Sequence, residues 1–201
     1  ASIAQANANV TSIKGVITEK TQELDKLTQN YHRSKSRLES LVNITERYDG
    51  YGNSIRKIME LKDSNPGILG VIADIIKVEK QYETAIETAL GGTIQNIVTD
   101  KENTAKELIN YLKVNKLGRA TFLPLNAIHS RNTLENDNCI NEKGVVGVAS
   151  NLVRVSFEYE GLAKYLLGRI LVVDNIENAL VIARKYKYSL RIVTLEGEQL
   201  N

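Results

Sequence analysis

Apolar residues recur with a period of seven along the first 47 residues of the chain. With heptad position a at Ile3 and position d at Ala6, ten of the twelve a and d positions as far as Leu41 are apolar, and the exceptions are Lys20 and Ser34. This period is typical of a coiled coil, because a helix that packs on a globular core follows a period near 3.6. The pattern predicts a coiled-coil arm segment over residues 1–47. Its apolar seam needs cover from a second copy or a returning segment, and no matching heptad run follows in the chain.

The heptad pattern ends at Tyr48-Asp49-Gly50-Tyr51-Gly52, where two glycines break the helix. Residues 48–67 are predicted to form a helical connection, with a short helix over Ser54–Leu61 and a turn at Asn65-Pro66-Gly67. Residues 68–127 predict a first subdomain. Its elements are a buried strand over Leu69–Val78 that Asp74 interrupts, a helix over Lys80–Leu90, a strand over Thr93–Val98, a helix over Asn103–Val114 and a strand over Gly118–Leu123.

The chain contains one stretch twice. Gly70–Gly91 aligns without a gap on Gly147–Gly168, with seven identical residues in 22 positions. After a three-residue gap, Ile97–Ile109 parallels Val172–Ala183. Two copies are too few for a solenoid, so the repeat predicts two related halves with a pseudo-two-fold relation. The alternative is a coincidental likeness between two strand–helix–strand units.

Residues 128–143 are predicted to be a linker, since His129–Lys143 is polar and rich in turn-forming residues. Residues 144–201 then predict a second subdomain. Its elements are a strand-like segment over Gly147–Val155, a helix over Tyr159–Leu167, a strand over Ile170–Val173, a helix over Ile176–Tyr186 and a strand over Leu190–Leu195. The predicted fold class is α+β, with an N-terminal coiled-coil helix followed by a pseudo-two-fold pair of small mixed αβ subdomains.

Composition narrows the class of protein only slightly. The chain has 201 residues, 42% of them hydrophobic and 25% charged, and its formal net charge of +2 does not demand an acidic partner. The single cysteine, Cys139, excludes an internal disulfide and fits a reducing compartment. The sequence has neither an apolar run of membrane-spanning length nor a signal-peptide pattern. These features predict a cytoplasmic chain without a membrane partner, cut at both ends from something longer.

No motif in the sequence predicts a nucleotide or metal site. Gly91-Gly92-Thr93 lacks the lysine of a phosphate-binding loop and follows a predicted helix C-terminus, which is the wrong end of the helix dipole for an anion. The two histidines, His32 and His129, lie far apart in sequence and in different predicted elements. We therefore predict no cofactor, no metal ion and no small-molecule substrate.

The carboxylates also fail to predict catalysis. Asp74, Asp100 and Asp174 could be interpreted as an acid–base set, but Asp100 and Asp174 stand just before predicted helices, where a side-chain oxygen serves as a turn or capping acceptor. Cys139 has no neighbouring histidine that could activate a thiol nucleophile. The prediction is that the chain is not an enzyme and has no catalytic residues.

Basic residues cluster near the end of each predicted half, with Tyr186 and Tyr188 interleaved in the second cluster. One hypothesis is a nucleic-acid-binding module, whose affinity would fall steeply with salt. The alternative is a solvated helix face, because acidic residues elsewhere nearly balance these charges. The candidate DNA contacts are Lys113, Lys116, Arg119, Arg184, Lys185, Lys187 and Arg191.

Five short motifs occur in an order that resembles a known family. They are Tyr48-Asp49-Gly50-Tyr51, Gly70–Val78, Ala89-Leu90-Gly91, Gly118–Leu125 and Arg191–Gly197. Together they are similar to the hinge domain of structural maintenance of chromosomes (SMC) proteins, above all the bacterial homodimeric type. The resemblance covers about residues 20–201, and Gly118–Leu125 is its most specific motif.

The resemblance implies a function and a partner. Hinges of this family have two subdomains and form a ring-shaped dimer that joins two SMC subunits at the far end of antiparallel coiled-coil arms. It implies a homodimer in chromosome condensation and segregation, located at the nucleoid, with ATP bound only by a distant head region of the full protein. The repeat agrees, because two related but different faces suit a closed dimer with two contacts. The chain departs from the family where it stops at Asn201, before the usual glycine pairs and the returning arm.

We expect the dimer contact at strand edges, whose free N–H and C=O groups another sheet can satisfy. The expected pairing joins the neighbourhood of Gly118–Phe122 in one chain to Leu190–Gly197 in the other. The candidate interface residues are Gly118, Arg119, Ala120, Thr121, Phe122, Leu190, Ile192, Val193, Leu195 and Gly197. The alternative primary function is that of a nucleic-acid-binding module. No set of residues supports a third possibility, a small enzyme.

Overall fold

The computed structural model describes residues 2–48, 51–129 and 132–201. The chain forms two compact units, Ala1–Asp49 and Gly50–Asn201. The first unit contains one long helix, α1, over Ile3–Arg47. The predicted break at Tyr48-Asp49-Gly50-Tyr51-Gly52 falls partly outside the described residues.

Helix α1 leaves its predicted apolar seam exposed to solvent from Ile3 to Leu38. The side chains of Ile17 and Leu24, at consecutive a positions, keep 59% and 61% of their surface exposed. Helices of water-soluble proteins obtain most of their stability by packing an apolar face. The seam of α1 is therefore a surface that another helix can cover.

The second unit combines six short helices and nine short strands among its described residues. Its helices are α2 Asn53–Met59, α3 Ile72–Ile75, α4 Glu83–Leu90, α5 Glu102–Val114, α6 Glu160–Leu167 and α7 Ile176–Lys185. Its strands are β1 Ile68–Val71, β2 Lys77–Val78, β3 Ile97–Thr99, β4 Phe122–Pro124, β5 Val145–Val148, β6 Val153–Arg154, β7 Ile170–Val173, β8 Arg191–Thr194 and β9 Gln199–Leu200. The predicted α+β class, with a long N-terminal helix and two mixed αβ halves, is confirmed.

The two halves share one strand topology. The first sheet has the order β1-β3-β4 and the second has the order β5-β7-β8-β9. In each, the first strand runs antiparallel to the middle strand, which is parallel to the next. Both first strands carry an irregularity at the same place, between Ile68 and Gly70 and between Val145 and Gly147. The predicted internal repeat is confirmed.

A two-stranded ribbon joins the halves. Strands β2 and β6 pair antiparallel, with Lys77 opposite Arg154. These two residues are 77 positions apart (154 − 77), the same spacing as Gly70 and Gly147 (147 − 70), so they are equivalent positions of the repeat. The pseudo-two-fold axis therefore passes between them.

Two hydrophobic clusters form the interior of the second unit. One contains residues of both halves, among them Ile86 of α4, Leu162 of α6, Val98 of β3 and Val193 of β8. The other lies within the second half, between its sheet and α7. The shared cluster makes the two halves one folding unit rather than two separate bodies.

The prediction of one buried strand over Leu69–Val78 is wrong. Strand β1 ends at Val71, α3 follows, and only Lys77–Val78 is extended again. The matching segment Gly147–Val155 is likewise broken, by a 3₁₀ turn over Ala149–Asn151. Short apolar runs do not distinguish strand from helix by periodicity, which explains the error.

Two further predictions need correction. The strand predicted over Gly118–Leu123 begins only at Phe122, and the strand predicted to start at Thr93 follows a 3₁₀ turn and starts at Ile97. The polar segment predicted to be a linker contributes to the core, because Leu134 and Cys139 are 2% and 0% exposed. Both pack in the cluster of the second half.

Candidate functional site

Strand β4 is an edge of the first sheet. The segment before it, residues 118–121, is bound on one side by hydrogen bonds from the same chain. The carbonyl oxygen of Thr121 accepts a hydrogen bond from the amide of Ile97 at 2.9 Å. The hydroxyl of Ser54 donates to the carbonyl oxygen of Arg119 at 2.6 Å. Gly118 has φ +96°, a left-handed conformation that glycine adopts without strain. Gly118, Arg119 and Thr121 are exposed, while Ala120 and Phe122 are half-buried.

The second half does not offer β8 as an edge. Strand β9 pairs with β8, with Leu200 opposite Ile192 and Gln199 opposite Val193. The side chains of Ile192 and Val193 are fully buried in the chain's own core, and Leu190 is buried with them. The expectation of a free edge over Leu190–Leu195 is therefore wrong where β9 covers it.

The remaining two candidate interface residues of the second half lie beside α4 or the shared cluster. Leu195 is half-buried and packs against the cluster that both halves share. Gly197 has φ +95°, and a Cβ atom there would lie 3.0 Å from Thr84 Cγ2 and 3.1 Å from Thr88 Oγ1. The turn that follows β8 thus packs on α4 of the first half, where only glycine fits without a shift of its neighbours.

Four of the candidate DNA contacts stand at matching helix ends. Lys113 and Lys116 lie at the end of α5, and Arg184 and Lys187 at the end of α7, all exposed. Lys116 and Lys187 both have a positive φ, 54° and 53°. Cations at a helix C-terminus interact favourably with the helix dipole, so their placement has a structural explanation as well as a functional one.

The other candidates differ in how far the fold already uses them. Lys185 forms an ion pair with Glu142 at 2.5 Å, and the hydroxyl of Tyr186 donates to the same carboxylate at 3.0 Å. The hydrogen bond from Lys185, followed by that from Tyr186, lowers the pKa of Glu142 below its ordinary value. The guanidinium of Arg191 donates to the carbonyl oxygen of Ala89 at 2.8 Å. The side chain of Arg119 forms no ion pair or hydrogen bond among the described residues, so Lys185 and Arg191 are the two candidates whose side chains have partners there.

Asp100 and Asp174 hold turns before helices. Asp100 accepts from the amide of Lys101 at 2.8 Å and from the hydroxyl of Thr104 at 2.5 Å. The bond from Thr104 is the largest cause that lowers the pKa of Asp100. Asp174 accepts from the amide of Asn175 at 2.7 Å and from the side chain of Asn178 at 2.9 Å. The interpretation as turn acceptors fits these bonds.

Residues 2–48, 51–129 and 132–201 offer little support for a metal site, a thiol nucleophile or a membrane span. No group of three or more metal-ligating side chains occurs among them. Burial raises the pKa of the Cys139 thiol, which disfavours a thiolate nucleophile there. No helix in this described part of the chain is long and apolar enough to cross a membrane.

Sequence reasoning missed a cleft beside the ribbon. It has a volume of about 430 Å³ and is lined by residues of both halves, including Lys62, Lys77 and Arg154. The repeat alignment already pairs Lys77 with Arg154, so comparison of their neighbours along the two copies was the available signal. Lys62 carries no such signal, because it precedes the repeat.

Comparison with known proteins gives a consistent family. The family model for the flexible hinge domain of SMC proteins matches residues 65–183. The chain is 36% identical over 204 residues to the chromosome partition protein Smc of Clostridium kluyveri, an alignment with 99% of this chain and 17% of that protein. The chain thus spans less than a fifth of the length of that relative.

Solved structures agree with the family model. An asymmetric dimer of the Geobacillus stearothermophilus SMC hinge domain is similar at a TM-score of 0.74 and 38% identity, over 86% of this chain and 69% of that one. The Pyrococcus furiosus Smc hinge domain with an extended coiled coil is similar at a TM-score of 0.62 and 32% identity, over 98% of this chain and 70% of that one.

Proposed function

Because the chain belongs to the family of SMC hinge domains, we propose that it is the dimerisation hinge of a chromosome partition protein and joins two subunits at the far ends of their coiled-coil arms. Its partner is a second copy of the chain. Its role is structural, and it acts at the nucleoid in the cytoplasm while nucleotide chemistry belongs to another region of the full protein.

The observation that carries this proposal is the open edge of β4. Among the described residues, strand β4 pairs with β3 on one side only, while its counterpart β8 is covered by β9. An uncovered strand edge presents backbone donors and acceptors that a strand of another chain can satisfy. We place the contact between the β4 edge of one copy, with Gly118–Phe122 beside it, and the β9 side of the second sheet of its partner.

Two such contacts close a ring. Each copy offers an open edge in its first half and a different outer strand in its second half. A head-to-tail contact of this kind closes when a two-fold axis relates the copies, and each copy then uses both halves once. The relative from Geobacillus stearothermophilus was solved as a dimer, which supports an assembly of two.

Sedimentation equilibrium over a range of concentrations tests the proposal. Thr121→Glu places a charge on the exposed segment before β4, and we expect it to weaken dimerisation about tenfold or more, because a charge buried without a partner is costly. Asn110→Glu, on the exposed face of α5, is the matched control and is expected to leave the mass unchanged. Val193 is unsuitable for such a test, since its side chain lies inside the chain's own core.

A monomer at every concentration, both for this chain and for one extended past Asn201, contradicts the proposed hinge function. If Thr121→Glu dimerises as strongly as the parent chain, the contact between the copies lies elsewhere. These two outcomes separate the function from the location of the interface.

A second candidate function is contact with DNA through the matched helix ends. Lys113, Lys116, Arg184 and Lys187 make no side-chain ion pair within the described part of the chain. Four exposed cations without counter-ions among the described residues are available to contact a polyanion. Replacing all four by Gln is expected to weaken binding to duplex DNA and to reduce its salt dependence, measured by fluorescence anisotropy. An unchanged salt slope contradicts this candidate.

A further inference from the structure

The cleft beside the β2–β6 ribbon collects cations from three different segments. Lys62 follows α2, Lys77 lies in β2 of the first half and Arg154 lies in β6 of the second half. The amine of Lys62 reaches over Gly70, where a Cβ atom would lie 3.5 Å from Nζ. Asp74 also lines the cleft, so three cationic side chains face one carboxylate on its walls. Its volume of about 430 Å³ is within the range of small-molecule sites.

Two like charges meet at the pseudo-two-fold axis. Lys77 lies directly opposite Arg154 in the antiparallel ribbon. Like charges at directly opposed positions of a strand pair are destabilising unless counter-ions compensate for them. An anion beside each cation would relieve this repulsion.

Within the part of the chain that the structure describes, only one of the two has a counter-ion. Glu79 accepts a hydrogen bond from the guanidinium of Arg154. The position equivalent to Glu79 in the second copy is Ser156 (79 + 77), and Ser156 lines the cleft together with Lys77. The repeat thus replaces the carboxylate by a hydroxyl at the place where Lys77 would find its partner.

The two lysines of the cleft have no partner among the residues that the structure describes. Among residues 2–48, 51–129 and 132–201, neither Lys62 nor Lys77 forms an ion pair or a hydrogen bond through its side chain. Lys77 is exposed on the cleft side of the ribbon, where an anion from solution can reach it. The broken symmetry leaves a cationic site where the other side of the axis has an ion pair.

We propose that this cleft binds a phosphate group, which takes the place of the missing carboxylate beside Lys77. Phosphate carries more than one negative charge near neutral pH and offers three acceptor oxygens, which suits two amines that approach from different segments. Lysine binds phosphate as a point charge, and the Ser156 hydroxyl adds a donor at the same wall. The group comes either from a free nucleotide or phosphate ion or from the backbone of a nucleic acid strand, and the same cations contact either one. The proposal does not depend on dimerisation.

The test uses three probes on the chain at low salt: inorganic phosphate, thymidine 5′-monophosphate and a short thymidine oligonucleotide. Amide chemical shifts in two-dimensional NMR report where each probe binds. We expect saturable shifts at Lys77 and Ser156 with at least one probe. Saturation by inorganic phosphate or the mononucleotide identifies a free ligand, and saturation by the oligonucleotide alone identifies a nucleic acid backbone.

Ser156→Glu is the decisive variant, because it would give Lys77 an ion pair equivalent to that between Glu79 and Arg154. We expect it to weaken binding about tenfold or more while thermal stability stays at or above that of the parent chain. Lys77→Gln and Lys62→Gln remove the cations directly and decide the question if Ser156→Glu fails to fold. Lys106→Gln, on the exposed surface of α5 away from the cleft lining, is the matched control for net charge.

Three results overturn the proposal. The first is the absence of saturable shifts at the cleft with all three probes. The second is unchanged affinity in Ser156→Glu or in both lysine variants. The third is a loss of affinity in Lys106→Gln as large as that in Lys77→Gln. Binding would then depend on the overall charge of the chain and not on the cleft. In each case sedimentation of the same variants reports separately on the proposed hinge function.

Discussion

The guanidinium of Arg191 donates a hydrogen bond to the backbone carbonyl oxygen of Ala89 at 2.8 Å. Arg191 begins β8 in the second half, and Ala89 lies in the last turn of α4 in the first half. Carbonyl groups in the last turn of a helix have no amide partner within that helix. The bond therefore caps α4 and connects the two halves through a cationic donor.

Arg191→Ala is expected to lower the free energy of unfolding by about 1–2 kcal/mol, since a charged donor and a helix cap are lost together. Urea denaturation measures the change. Arg184→Ala is the control, because Arg184 is exposed and its side chain has no partner among the described residues, so its effect is expected within about 0.5 kcal/mol. Equal losses in the two variants would refute the capping role.

Much of the fold was predictable because the sequence contains the same order of predicted strands and helices twice. The alignment of Gly70 with Gly147 predicted two halves with one plan, and the common strand order follows that plan. Amphipathic periodicity placed α5 and α7 to within about two residues, because one face of each helix is buried. Hydrophobic periodicity and the internal repeat can be recognised in the sequence itself, so the elements that depend on them were predicted.

What the sequence did not reveal depends on distant residues. The side chain of Arg191 donates a hydrogen bond to a carbonyl group 102 positions away, and no local sequence pattern predicts this partner. Cys139 is buried because the second-half sheet needs cover on the side where α7 packs, although its polar neighbours resemble a linker. The alignment showed that Lys77 and Arg154 are equivalent, but only the folded chain shows that they line one cleft with Lys62.

Gly144→Ala is expected to destabilise the chain by about 2–4 kcal/mol. Gly144 has φ +87°, and a Cβ atom there would lie 2.4 Å from Asn178 Nδ2 and 2.6 Å from Asp174 Oδ1. The new atom would both strain the backbone and separate the two side chains that hold the start of α7. Thermal unfolding by circular dichroism measures the loss.

Gly161→Ala is the contrasting substitution. Gly161 lies in α6, and a Cβ atom there would have no neighbour within 4 Å. Alanine is the better helix former, so the free energy of unfolding is expected to rise by up to about 1 kcal/mol. A loss of stability in Gly161→Ala, or no loss in Gly144→Ala, would contradict this assignment of the two glycines.

Glu142 gives the chain a specific response to acid. Its pKa in the folded state is lowered from the ordinary value of 4.5, chiefly by the hydrogen bond from Lys185. A lowered folded-state pKa means that the unfolded chain binds the proton more readily. The contribution of Glu142 is therefore fully present above pH 4.5 and is lost as the pH falls through the lowered folded-state value.

The measurement is urea denaturation of the parent chain and of Glu142→Gln at several values below about pH 5. We expect the parent chain to lose stability more steeply with acid, since the glutamine variant has no proton to bind at this position. Parallel curves for the two proteins would show that the contact with Lys185 and Tyr186 contributes nothing in solution.

Helix α1 is expected to exchange its amide hydrogens far faster than α4 in a dilute sample. The seam of α1 is exposed, whereas Ala85 and Ile86 of α4 are buried in the shared cluster. Protection against exchange follows the free energy of local opening, which is low where few apolar contacts are made. Hydrogen exchange followed by mass spectrometry provides the comparison, and equal protection of α1 and α4 in a dilute monomer would contradict it.

The ribbon of β2 and β6 has the symmetry of a contact between two identical molecules. It pairs Lys77 with its own counterpart Arg154, as the axis of a symmetric dimer pairs a residue with its copy. A half-length protein with one copy of the repeat could form the same ribbon with an identical neighbour. Because both halves belong to one polypeptide, equivalent positions need not carry the same residue, as Glu79 and Ser156 show.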